Sequence, residues 1–440
     1  MGEADLRHDL RYSDAVLRSI EILGLRAIRY VRLELSGFQV LVGPNASGKS
    51  TFLDALTLVR DVLTVGIERA LRGDARFDIP QRVANPRDLS WMRSGGAVEI
   101  VLTFELPANI RHQLNHVFVS ARYECGLDLA GELRFSGEAL SLYGSERASH
   151  DRDNGQAAVF PGAALPPGSH IVRRPGQQTS GWVTVSKDPE SGNDEFMSET
   201  GTYNNIFRLA PDRSALANLP ADQDQFPAAL WVRQLLMEGV HRIQLNVEKM
   251  RIPSPAGSPS TFRPDGSNLP WVVHELEARD PDALARWIEH VQTALPDIRS
   301  IGTHEREEDR ARYLQITYDN GLTAPSWLVS DGTLRMLALT LLAYTPSTGS
   351  ILLIEEPENG VHPRAIDAVV QSLQSVYDGQ VFIATHSPLV LSLVKDRDLL
   401  CFTKDHDGAV AIVRGNHHPR LAQWRSALNL GDLFAKGILG

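Results

Sequence analysis

The sequence predicts an α/β fold, a mixed sheet with flanking helices, and three stretches predict it. Residues 351–354, Ile-Leu-Leu-Ile, are short and bulky enough for a strand buried on both faces. They deliver two adjacent acids, Glu355 and Glu356, and Pro357 bars a helix from starting there. Residues 38–42 form a second apolar run, which feeds the glycine-rich loop 43-GPNASGKST-51 and a helical pattern from residue 49 to about 63. A third run, 380-QVFIATHSP-388, ends at His386, and Pro388 opens a helix. Acids at the carboxyl end of a buried strand stand where an α/β sheet places its ligand chemistry.

In chain order, residues 1–18 read as a polar, partly ordered lead. Apolar and polar residues alternate over 20–35, which suggests two strands around Gly24. After the loop, helix signals run from residue 49 to about 70, and 98-VEIVLTFEL-106 is a strand behind the turn signal Gly95-Gly96. Residues 107 to about 225 change character. Short alternating runs are cut by Gly, Pro, Asn, Asp and Ser clusters, with exposed loops expected at 161–170 and 188–195. The sequence therefore predicts an N-terminal lobe at 1–106, a β-rich insertion with a helical return at 107–240, and a C-terminal lobe at 241–440. Helical spacing returns at 226–240, from 271 and at 281–295, around a Pro-, Gly- and Ser-rich loop at 252–270. Residues 313–318 read as a strand, and no heptads support a long coiled-coil arm in the insertion.

Composition narrows the function classes. With 42% hydrophobic and 22% charged residues, the chain is ordinary for a soluble globular protein. Its formal net charge of −10 argues against a generally basic nucleic-acid binder, although a local basic groove would still fit. Cys125 and Cys401 are the only cysteines, too few for a disulfide framework or a cysteine zinc site, which fits a reducing cytoplasm. No run resembles a signal peptide, and none approaches the length of a membrane span.

The loop is a full match to G-x-x-x-x-G-K-[ST], and strand, loop and helix follow in the order that makes such a match a site. Its residues are Gly43, Pro44, Asn45, Ala46, Ser47, Gly48, Lys49, Ser50 and Thr51. Gly43 and Gly48 let the backbone curl its N–H groups onto phosphates. Lys49 supplies charge to the β- and γ-phosphates, and the Ser50 hydroxyl can ligate Mg²⁺. Farther on, 328-LVSDGTLRMLALTLLAY-344 is a polar turn feeding an apolar helix. Ser330 stands at the N-cap, and Gly332 lets backbone approach a ligand. Alone this reads as an ordinary capped helix; about twenty residues before the acidic strand, it reads as an anion site. A lone histidine is usually structural, but His386 at a strand end can donate to a γ-phosphate.

Phosphate loop, S-D-G turn, acidic strand followed by E-N-G-x-H-P, and T-H-S-P together resemble the ABC-type ATPase heads. Within these, the chain is similar to the OLD-type ATPases of prokaryotic defence systems, including the Septu- and retron-associated subunits. The resemblance covers roughly residues 20–106 and 241–400, and 265-DGSNL-269 resembles a loop that recurs in the group. It implies an ABC-ATPase head carrying a β-rich insertion, with ATP and Mg²⁺ as cofactors. Glu356 would be the general base and His386 the switch histidine, with Ser50 and Glu355 on the metal. Ser330 and Gly332 would reach the triphosphate of a second protomer, and Asn359 and Gly360 would form the D-loop at that interface. Three departures stand out. Glu355 replaces a common Asp, Asp331 brings a negative charge to a position that is commonly Gly, and no clear Q-loop glutamine follows Leu106.

The resemblance further implies a cytoplasmic ATPase that forms a homodimer or higher homo-oligomer through its heads. Its partner would be a separately encoded effector of Toprim-like or HNH nuclease type, because only about fifty residues follow His386, too few for a nuclease domain. Nucleic acid would be met indirectly and membrane not at all. The competing reading is an ATPase of the SMC or recombination-mediator kind in DNA repair, against which the missing coiled coil and the acidic balance count. A transporter subunit and a non-hydrolysing scaffold fit the insertion and the intact site residues less well.

Overall fold

The computed structural model describes residues 16–144, 165, 168–174, 177, 179–201, 203–346, 349–377 and 379–418. Most of the polar lead at 1–18 and much of the 161–170 loop lie outside these residues. The chain lays down β1 (Leu17–Leu25), β2 (Ile28–Glu34) and β3 (Phe38–Val42), then α1 (Lys49–Val65) and α2 (Ile67–Arg72). Next come β4 (Val98–Glu105), α3 (Ala108–Gln113), β5 (Ser120–Asp128), β6 (Arg134–Tyr143), β7 (Trp182–Lys187), β8 (Asp194–Met197), β9 (Asn204–Phe207) and α4 (Pro227–Glu238). After β10 (Val240–Ile243) follow α5 (Val247–Arg251), α6 (Leu269–Arg279), α7 (Pro281–Gln292), β11 (Ile298–Glu305), β12 (Arg312–Tyr318), β13 (Thr323–Pro325) and α8 (Asp331–Leu341). The described chain closes with β14 (Ile351–Glu355), α9 (Pro363–Gln374), β15 (Gln380–Ala384), α10 (Pro388–Ser392), β16 (Leu399–Lys404) and β17 (Val410–Arg414). No helix among the described residues is long and apolar enough to cross a membrane.

Two compact units result. The first takes residues 1–37, 43–240 and 401–413, and the second takes residues 38–42, 241–400 and 414–440. The strands of the β-rich stretch continue the sheet of the N-terminal segment.

In the first unit that sheet has eight strands in the order β2-β1-β4-β5-β6-β7-β8-β9. The turn between β1 and β2 lies at Arg26 and Ala27, since Leu25 pairs with Ile28 and Arg26 takes the left-handed φ of 49°. Gly24, expected at the turn, is inside β1 instead. A Cβ there would stand 2.5 Å from the Ala97 carbonyl oxygen, so glycine serves a close approach, not a reversal. Helix α1 is buried along most of its length and carries Asp54 and Asp61 inward. Arg82 satisfies both, at 2.9 and 2.6 Å, as a buried ionic cluster must be.

Buried carboxylates stitch this sheet to distant segments. Glu99 on β4 accepts from the backbone N–H groups of Ile171 and Val172, and Glu138 on β6 accepts from those of Ala215 and Leu216. Glu199 accepts from Ala228 and Ala229 at the start of α4, at 2.7 and 2.8 Å. Burial outweighs these donors and raises the Glu199 pKa from 4.5 to about 7. An acid whose folded pKa exceeds its unfolded one costs stability as pH rises through that window, because the unfolded chain gives up the proton first. Between about pH 4 and pH 8 the protein is expected to lose on the order of 3 kcal/mol relative to Glu199→Gln. Urea midpoints read this difference; parallel pH curves for the two proteins would acquit Glu199.

In the second unit, β14 and β15 are parallel and in register from Ile351 with Gln380 to Glu355 with Ala384. β15 and β3 continue the parallel pairing up to Ala384 with Leu41. β10 lies on the far side of β14. Side chains 351–354, 381–384 and 38–42 are buried, as runs without alternation require of strands covered on both faces. Trp287 on α7 is fully buried and donates to Thr340 on α8 at 2.9 Å. A separate antiparallel sheet, β11-β12-β13, completes the unit.

Candidate nucleotide site

In the first unit, residues 43–51 wrap into the start of α1. Gly48 has φ 102°, and a Cβ on it would lie 2.4 Å from Val410 Cγ2, so any other residue would be strained and would have to displace Val410. Ala46 also takes a left-handed φ, 60°. Lys49 is 6% exposed, and its Nζ donates to the carbonyls of Gly43 and Pro44 at 2.7 and 3.0 Å. The ammonium is thereby held inside the curl of the loop. Helix α1 has no side-chain cap and no acid in its first turn, so its own first-turn residues place no negative charge at its positive end. Glycines, buried cation and uncapped helix together fit a phosphate chain.

In the second unit, β14 ends at Glu355, level with Ala384 and Leu41. The chain passes from Leu41 through Val42 directly into Gly43. Glu356 takes a left-handed φ of 48°, uncommon for a non-glycine residue and typical of functional turns. It is held there by its N–H to the Ala384 carbonyl, 2.7 Å, and by the Asn359 N–H to its own carbonyl, 2.9 Å. The twist leaves Glu356 exposed while Glu355 pairs with Arg242 of β10. Both acids line a cavity of about 750 Å³ with Arg242, Asp331, Arg335 and Asn359. Among the described residues no group of three or more His, Cys, Asp or Glu forms a metal cage. Mg²⁺ needs no such cage, because it keeps several waters and takes ligands from phosphates.

Ser330 is the N-cap of α8: its Oγ accepts from the Thr333 N–H at 3.3 Å. Gly332 packs on the turn at Asn359-Gly360, where a Cβ would fall 2.7 Å from the Gly360 carbonyl oxygen. The turn at 330–332 and Asn359-Gly360 thus pack together. His386 lies two residues beyond β15, in a turn tied by Thr385, whose N–H donates to Leu41 and whose Oγ1 donates to Glu358 at 2.6 Å. Ser330, Gly332, Gly360 and His386 do not line the cavity. Sequence reasoning missed Arg242 and Arg251. The second pairs with Asp331 in the first turn of α8. Neither arginine carries a local signal, because only strand order and the packing of α5 bring them to these acids.

A family model described as "AAA domain, putative AbiEii toxin, Type IV TA system" matches residues 38–112 and 188–392, well over half of the chain. The chain is also similar to an SMC head crystallised with the C-winged helix domain of ScpA, at 14% identity and a TM-score of 0.51. That match covers 90% of this chain and 97% of the other. An SMC head with an extended coiled coil, bound to the C-terminal domain of ScpA from Pyrococcus furiosus, matches at 12% identity and a TM-score of 0.47, covering 90% and 96%. At such identity the first likeness shows a shared fold, an SMC-type head.

Proposed function

The chain belongs to the AbiEii-type AAA-domain family, and from that premise we propose that it binds and hydrolyses ATP and closes head-to-head on it. In this reading it regulates a separately encoded effector of nuclease type in antiviral defence, in the cytoplasm. The observation that carries the proposal is the register that ends β14, β15 and β3 together, with the acids on one strand and the glycine loop continuing another.

Residues 43–51 would hold the triphosphate, Lys49 neutralising the β- and γ-phosphates while Ser50 and Glu355 hold Mg²⁺. When bound, the ion would supply neutralisation of phosphate charge. Glu356 would orient the attacking water and take its proton, and His386 would donate to the γ-phosphate. Ser330 and Gly332 of a second copy would close the site, with Asn359 and Gly360 at the seam. Residues 107–240 would act as an insertion between the two ATPase lobes.

Light scattering with a non-hydrolysable ATP analogue tests this. A dimer that forms only with analogue, and phosphate release with ATP, are the expected results; a monomer in both conditions without phosphate release would overturn it. The SMC-type fold favours a second reading, DNA maintenance. ATP-stimulated DNA binding with a steep salt dependence would select that one.

A further inference from the structure

Arg251 bridges the two sides of the turn that presents Ser330. Its Nη1 donates to the Trp327 carbonyl at 3.2 Å, and its Nη2 pairs with the Asp331 carboxylate. Its own carbonyl accepts from the buried Ser326 hydroxyl at 3.1 Å. Residues 326 and 327 precede Ser330 and residue 331 follows it, so one guanidinium fixes the turn from both sides.

The segment behind Arg251 is braced as well. Asn246 caps α5 by accepting from the Lys249 N–H, and Lys249 pairs with Asp265 at 2.9 Å. Gly266 lies so close to Met250 that a Cβ would fall 3.0 Å from its Sδ. Fully buried Asn268 donates to the carbonyls of Pro259 and Thr261 and accepts from the Arg263 N–H. The stretch 265-DGSNL-269 therefore anchors the helix that ends in Arg251.

Folding alone explains this ion pair poorly. Asp331 is 63% exposed in its side chain, and exposed pairs contribute little to stability. Asp331 suits the first turn of α8 through the helix dipole, yet it puts a negative charge beside the hydroxyl proposed to meet a triphosphate. Arg251 cancels that charge. Ile252, Trp327 and Leu328 are exposed around the same turn, a surface suited to cover by another copy.

We infer that Arg251 is a positioning residue, which neutralises Asp331 and holds the turn so that Ser330 can close on a triphosphate carried by a second copy. The inference rests on the head-to-head reading above. Its test is the concentration of non-hydrolysable ATP analogue that half-dimerises the full chain, with thermal unfolding alongside. Arg251→Ala and Arg251→Gln are expected to raise that concentration at least about tenfold, as unrelieved like charge at an interface does. Adding Asp331→Asn to Arg251→Ala is expected to restore it to within about threefold of the wild type, by removing the repulsion instead of the cation. A purely structural role would give no such rescue. If the double variant stays as weak as Arg251→Ala, or if Arg251→Gln dimerises normally, the inference falls. If Ser330→Ala dimerises as the wild type does, the head-to-head reading falls first, and the two failures are told apart.

Discussion

Glu356→Gln is expected to bind ATP as tightly as the wild type and to hydrolyse it about 10²–10⁴ times more slowly, the usual loss when a general base is removed. The substitution keeps the size of the side chain and the backbone bonds to Ala384 and Asn359 that hold the turn. An amide can still bond to water but cannot take its proton. The expected signature is therefore a split, with intact affinity and lost turnover, measured by nucleotide titration and phosphate release. Because Glu356 is exposed, the fold should not suffer. Near-normal turnover would take the role of base away from Glu356 and direct attention to Glu355 or His386.

Lys49→Ala should fail earlier, at binding. Charge-assisted hydrogen bonds contribute about 1.5–3 kcal/mol each, so losing the ammonium should weaken nucleotide affinity by about 10- to 100-fold. The loss would appear directly in titration and also as a smaller rise in melting temperature on adding ATP, since ligand stabilisation follows mass action. Lys49 is buried against the Gly43 and Pro44 carbonyls, so the variant's own stability must be read without nucleotide as a baseline. Equal affinity in the two proteins would undo the assignment of residues 43–51 as the phosphate cradle.

The parts of the site that were legible in the sequence are those whose physics is local. Residues 38–42, 351–354 and 380–384 could be read because a strand covered on both faces must be continuously apolar. Ser330 was legible as a cap, and the helix from Lys49 was legible from the loop before it. What escaped depends on tertiary arrangement. Gly24 invited a turn, but its role is set by Ala97 on the approach to a neighbouring strand. Arg242 reaches Glu355 because β10 lies next to β14, and no window of residues contains that order. The β-rich stretch was legible as strands, whereas its fusion into the sheet of β1 and β4 depends on the pairing of β4 with β5.

The carboxylates that pin the first unit's loops change what the protein's acidity means. Among the described residues, eight buried side chains are Asp or Glu and three are Lys or Arg. Part of the acidic composition is thus turned inward, onto Arg82, Arg122 and backbone N–H groups, and does not face solvent. Composition alone therefore does not say how much acid faces solvent, and bulk acidity is a weak argument against contact with a nucleic acid.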